Sequence, residues 1–285
     1  IRRRHGGVAA VLHYGSCLRR RTLEGVLDYF VLVDSYRTAY RSRRLAVLNR
    51  LVPPNVFRID VPTSRGVLKA KYAVLTVADF ARAVGRRHPH PYVWGRFAQP
   101  AALVYCRDEP TQRAVAGAVT EAVITAVQWS LPFAAGRGGT LDLTPEGTRA
   151  FWLETFRRTY GTELRTEREA TIAKVYDADP VRYDIVLGLA LHALEGRGVR
   201  RAARSGWRRL AGRAAWAVRV PAAKALAGLR LAKSIATFDD WLPYALWKLE
   251  RHTGVRPVLS DRQRRHPLLF GWPVLVKVMA RGAFR

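Results

Sequence analysis

Residues 11–35 read VLHYGSCLRRRTLEGVLDYFVLVDS. A Gly-Ser pair, Gly15 and Ser16, closes one apolar run, and Asp28 opens the next. In nucleotidyl transfer the hard step is stabilising charge on the α-phosphate and on the departing pyrophosphate, and Mg²⁺ held by carboxylates does this. A Gly-Ser turn brings backbone N–H groups and a hydroxyl up to the β- and γ-phosphates with no side chain in the way. Asp28 is then the natural metal ligand. Its usual companion, two residues on and on the same strand face, is Phe30, which binds no metal. Asp34 shares that face, but six residues along a strand is about 20 Å. A second ligand must come from another strand, and Asp60 in "FRID" is the candidate. The same letters also fit an ordinary β-turn followed by an edge carboxylate.

Such a site needs strands to hold it. "VAAVLHY", "YFVLV", "NVFRIDV", "VLKAKYAVLTV" and "AALVYC" carry the Val, Tyr and Leu content of β-strands. "SYRTAYRSRRLAVLNRLV" predicts one helix ended by Pro53-Pro54, and "TVADFARAVGRR" a strand running into a short helix capped by Thr76 or Asp79. After Asp108 the pattern turns helical. A long helix should stop before Pro132. Two more begin with Thr144-Pro145 and Asp179-Pro180, an N-cap followed by Pro at the first helical position, and the second stops at Gly196. "DDWLPYALWKLERHTG" predicts a last helix ending at Gly254, with Asp239-Asp240 at its start.

The chain has 285 residues, 49% of them hydrophobic, enough for a sizeable core. It begins at Ile1, so targeting signals are not judged from it, and no uncharged apolar run reaches the roughly 18 residues of a spanning helix. The two cysteines, Cys17 and Cys106, make neither a disulfide framework nor a zinc site, and Cys17 beside the turn reads as a small space-filling residue. The net charge is +27, mostly from Arg, whose planar fork suits phosphate oxygens. Such a surface seeks nucleic acid, anionic lipid or a polyphosphate. Between Glu195 and Asp239 there is no acidic residue, while Arg and Lys recur with Trp207 and Trp216 among them. Weaker features have structural readings: His88-Pro89-His90-Pro91 is a stiff loop, His13 a structural strand residue, Asp179 a cap, and Glu163 and Glu167 a charged helix end.

Four segments, "HYGSCLRR", "LDYFVLVDS", "LKAKYAVLTVADF" and "WGRFAQP", come in the order and approximate spacing of the mitochondrial-type phosphatidate cytidylyltransferases, also described as translocator assembly and maintenance proteins. "KALAGLRLAKSIATFDDWLPYALWKLERHTG" is similar to that family's C-terminal segment. The resemblance covers both ends of the chain and most of its first half, and the Arg- and Ala-rich composition points to a bacterial relative. It implies an α/β nucleotidyltransferase domain (1–107), a mostly helical, winged-helix-like domain (108–195) and a basic amphipathic, membrane-facing C-terminal segment (196–285). It implies joining of CTP to phosphatidate with Mg²⁺, giving CDP-diacylglycerol and pyrophosphate, by a protein peripheral on the inner face of a membrane, on the matrix side in a mitochondrion. Gly15 and Ser16 match the phosphate-gripping turn, Asp28 the metal carboxylate, Lys71 the basic residue of Lys-Tyr-Gly-Val, and Arg96 the Gly-Arg of the later motif. Two departures stand out: Ala73 replaces the Gly after Lys-Tyr, and Gln99 of "GRFAQP" falls one place later than in the family and lacks the following Lys.

The residues are compatible with these roles. A cation at Lys71 beside the polyphosphate neutralises the leaving pyrophosphate; otherwise it is a solvated edge-strand Lys. Arg96 follows Gly95, which permits close backbone approach; otherwise it is a surface Arg stacked on Trp94. The basic run from Arg197 to Lys233, its tryptophans and the tail at 268–279 supply charge and apolar groups for an anionic membrane surface, each cation worth about 1 kcal/mol there. Nucleic acid explains the same charge but is not expected, because no ribonucleoprotein-type aromatic motif or zinc-finger spacing is present. The rivals are a nucleotidyltransferase acting on RNA, protein or a small molecule, and a non-catalytic basic protein that binds membranes or nucleic acid.

Overall fold

The computed structural model describes residues 1–64, 66–134, 141–164, 169–199, 206–237 and 260–261, with the backbone alone at 206–209 and 234–237. The expected helix at 239–254 with its Asp239-Asp240 start, the tail at 268–279, Glu167 and the side chain of Trp207 lie outside the described residues. Contacts divide the chain into two compact units, Ile1–Lys233 and Ser234–Arg285. The first holds the sheet and the hydrophobic core.

The architecture is α/β. Five strands, β1 (Val8–Tyr14), β2 (Val26–Val33), β3 (Asn55–Thr63), β4 (Gly66–Thr76) and β5 (Ala101–Cys106), form one mixed sheet in the order β3-β4-β2-β1-β5. β2 and β4 run parallel; the other three pairings are antiparallel. Both sheet faces are apolar, because side chains alternate along each strand. Phe30, Leu32, Ala73 and Leu75 enter the core on one face, and Val31, Val33, Tyr72 and Val74 that on the other.

The second face is closed by two short helices, α2 (Tyr36–Ala39) and α3 (Arg43–Leu51). The sequence pattern predicts a single helix here. The chain breaks because Ser35 and Ser42 each cap a start, accepting from the backbone N–H of Thr38 and Leu45, while Tyr40 takes an extended conformation between them. That break turns Tyr40 inward against Phe57, with ring centroids 6.0 Å apart.

The first face carries the large core. It is covered by α4 (Val77–Val84), α5 (Trp94–Phe97), α6 (Glu109–Ala134), α7 (Pro145–Gly161), α8 (Glu169–Asp177) and α9 (Pro180–Gly196). Thr76, Thr144 and Asp179 cap their helices as expected. Asp79 is no cap; its carboxylate takes the Tyr36 hydroxyl at 2.6 Å. One apolar cluster runs from Leu12 and Phe30 in the sheet through Trp94 and Ala122 to Trp152 and Leu191, so no break in packing falls at 107/108. Residues 108–199 hold only helices among those described. By length and composition α6 could cross a membrane, but more than half of its most apolar window is buried inside the fold.

α6 does not stop before Pro132; it continues to Ala134. Pro there removes only a bond of the last turns, and α10 (Gly206–Thr237) packs against that end. A Cβ on Gly212 would come within 2.6 Å of the Pro132 ring, and the Trp216 indole donates to the Trp129 carbonyl at 3.1 Å. Trp216 is therefore a core residue, not a membrane-inserting one. Along α10 the usual arrangement is turned inside out. Leu210, Val218, Leu229 and Leu231 face outward, while Arg219, Arg230 and Lys233 turn toward the fold.

Candidate active site

Gly15 has φ 90° and ψ −165°, a region only glycine occupies at ease. A Cβ there would also meet Asp28 Oδ2 at 2.8 Å. Conformation and space thus both demand glycine, and the turn and the aspartate lie side by side. The cause is register: Tyr14 pairs with Asp28 across β1 and β2, Asp28 with Lys71 across β2 and β4, and Lys71 with Arg58 across β4 and β3. These four residues form one row on the first face, the side that also carries Phe30 and Ala73. Asp28 Oδ1 lies 3.0 Å from Lys71 Nζ but meets no donor in hydrogen-bonding geometry. An ion pair this open contributes about 1 kcal/mol or less to the fold. Ser16 is exposed at the start of α1 (Ser16–Arg19), whose first N–H groups have no partner within the helix. Cys17 is buried with its thiol 3.5 Å from the Glu24 and Val26 carbonyls, the packing role expected of it.

Asp60 is not brought to Asp28. It faces the same side, but two strands away and one step along, about 12 Å between backbones. Both its oxygens are taken by Arg58, at 2.8 and 2.5 Å. Asp34 pairs with Arg107 at 2.7 Å. Among the described residues no group of three or more His, Cys, Asp or Glu side chains could hold a metal. Asp28 is, among the described residues, the carboxylate beside the turn, with one buried oxygen lacking a hydrogen bond. That donor set fits magnesium arriving on a polyphosphate, which needs only one or two carboxylates, and not a metal held by protein alone.

Arg96 lies behind the row. It is largely buried, donates to the Tyr92 carbonyl at 2.7 Å, pairs with Glu163 at 2.6 Å and stacks 4.0 Å from the centre of the Tyr92 ring. The expected alternative of stacking on Trp94 is replaced by Tyr92. Burial alone would weaken its charge, but Glu163 and the phenols of Tyr92, Tyr14 and Tyr160 outweigh it and raise the pKa. The Tyr14 phenol is held well above its usual range, first by burial and then by the Asp28 carboxylate. Gln99 ties the turn to the helices: its amide accepts from Arg19 at 2.8 Å and donates to the Gly95 carbonyl and the Tyr160 hydroxyl, each at 3.1 Å.

Sequence reasoning missed Tyr14, Glu163, Tyr92 and Gln99 as members of this cluster. Tyr14 carried a signal, since it directly precedes the Gly-Ser pair. Glu163 carried none, because only the folding of α7 back onto α5 brings it to Arg96. No protein-family model matches the chain, and no curated protein matches it.

Proposed function

We propose that the chain is a nucleotidyltransferase that joins CTP to phosphatidate at a membrane surface, releasing pyrophosphate and forming CDP-diacylglycerol. One observation carries the transferase reading: a glycine that tolerates no side chain lies against a carboxylate, with a lysine in ion-pair contact behind it. The choice of CTP and phosphatidate follows from the ordered sequence resemblance.

Gly15 and the start of α1 receive the β- and γ-phosphates. Asp28 would hold the magnesium brought with the nucleotide, which supplies charge neutralisation to the triphosphate. Lys71 swings from Asp28 to the pyrophosphate as charge develops there. An oxygen of the acceptor phosphate forms the new bond to the α-phosphorus as the bond to the β-phosphate's bridging oxygen breaks. A phosphate dianion is already a nucleophile, so no general base is required. His13, the histidine nearest the turn in sequence, lies on the opposite sheet face against Tyr29, centroids 4.9 Å apart, and burial lowers its pKa.

The test incubates pure protein with Mg²⁺, labelled CTP and phosphatidate vesicles. Labelled CDP-diacylglycerol is the expected product, lost in Asp28→Asn. Its absence from the unaltered protein would refute the assignment, and product formed only with a water-soluble or RNA acceptor would reassign the substrate.

A further inference from the structure

Three cations of α10 are withdrawn from solvent with no carboxylate paired to them among the described residues. Arg219 and Lys233 are more than nine-tenths buried. Arg219 donates to the Pro89 carbonyl, Arg230 to the Pro53 carbonyl at 2.7 Å, and Lys233 to the carbonyls of Val52 and, at 2.7 Å, Pro54. Among the described residues none of the three forms a salt bridge, and one nitrogen of Arg219, Nη1, has no hydrogen-bond partner. Ring faces share in holding two of them, Arg219 lying 3.6 Å from the Trp129 ring centre and Arg230 4.4 Å from that of Tyr92, but carbonyl dipoles and ring faces offset a buried charge less fully than an anion does.

Beside them is a cavity of about 90 Å³, walled by Arg230, Arg82, Asp79, His88, Tyr92 and Pro53 among others. It would hold roughly six waters, too little for a nucleotide but enough for a phosphate group. Asp79 is the only carboxylate in the wall among the described residues, and it is already engaged by the Tyr36 hydroxyl at 2.6 Å and by Arg82 at 2.7 Å. The remaining lining is cationic or neutral. Burial lowers the His88 pKa, and three arginines, Arg230, Arg219 and Arg82, lower it further. Tyr92 stands between two guanidinium groups, with Arg230 4.4 Å and Arg96 4.0 Å from its ring centre.

We propose that this cavity is an anion site for a phosphate monoester, with Arg230 and Arg82 as its charged donors and Arg219 and Lys233 supplying the surrounding positive field. The planar forks match two oxygens of one phosphate. A monoester carries close to two negative charges near neutral pH, which offsets the buried excess better than a diester does. Tyr92 and Arg96 link this cavity to the Asp28 row, so a phosphate held here lies on the same side of the sheet as the proposed nucleotide. The inference stands on α10 and the Pro53 and His88 turns, and does not require nucleotide transfer.

The experiment titrates the full chain with inorganic phosphate at constant ionic strength, read by calorimetry. In a second arm, vesicles containing phosphatidate are compared with vesicles of equal surface charge made with phosphatidylglycerol, a diester. Saturable one-to-one phosphate binding, or a preference for phosphatidate vesicles where free phosphate fails, supports the site and tells its two sources apart. Arg230→Met should weaken binding at least tenfold. Arg82→Gln, at an exposed position that leaves the fold intact, should weaken it several-fold, and Ala83→Leu, which fills the cavity and keeps every cation, should abolish it. Asp28→Asn should bind as the unaltered protein does. Absence of both saturable phosphate binding and phosphatidate preference overturns the proposal, as does unchanged affinity in a natively folded Ala83→Leu. Absence of turnover in the unaltered protein, with phosphate binding intact, would count against the transferase reading alone.

Discussion

Two regions of this molecule use the same kinds of side chain in opposite ways. In the Asp28 row a lysine is half open to solvent and faces a carboxylate. On the inner side of α10 a lysine and two arginines are enclosed and meet carbonyl oxygens. The first arrangement costs the fold little and leaves the cation able to exchange partners. The second fixes its cations in place with no carboxylate paired to them among the described residues. Mobility suits a group that must follow charge during a reaction, whereas a fixed, uncompensated field suits a group that must only hold an anion.

The sharpest way to separate the two regions is Asp28→Asn. It should lower turnover about 10³-fold without lowering the midpoint of thermal unfolding, and a midpoint that falls with turnover would place Asp28 among structural residues. Gly15→Ala comes next. It forces alanine into a glycine-only conformation and against Asp28, so urea denaturation should show a loss of about 1–3 kcal/mol.

The α10 side should also respond to pH. Burial, aided by Arg230, lowers the Lys233 pKa to about 7, while in the unfolded chain it returns to its usual 10.5. Between these values the unfolded state binds the extra proton, so stability rises with pH across that window, by at most about 1.4 kcal/mol per unit. Denaturation at pH 7 and pH 9 should show the rise in the unaltered protein and a smaller one in Lys233→Met; equal slopes would break the contrast. The smallest expected effect is that of Lys71→Met on stability, below about 1 kcal/mol, although product formation slows. A larger loss of stability would mean that the open pair is structural after all.

How much of this was legible beforehand depends on how local each cause is. All five strands follow from short runs rich in Val, Tyr and Leu, and the Thr144 and Asp179 caps from a side chain bonding three residues ahead. The pairing of Gly15 with Asp28 was also readable, because adjacent strands set it. What escaped was tertiary. Tyr40 leaves its helix to reach Phe57, and Pro132 stays within α6 with α10 packed on it. Asp60 was a reasonable second ligand by face alone, but only the order of strands shows it to be too distant. Most instructive is α10, where a run of basic residues looks outward-facing by composition, yet burial selects Arg219, Arg230 and Lys233 for the inside.

That reversal changes what the formal charge of +27 means. Charges sheltered within the fold add little to the counterions a surface gathers and releases. Behaviour on a cation-exchange column, or the steepness with which added salt strips the protein from an anionic support, will therefore report fewer positive sites than the amino-acid count suggests.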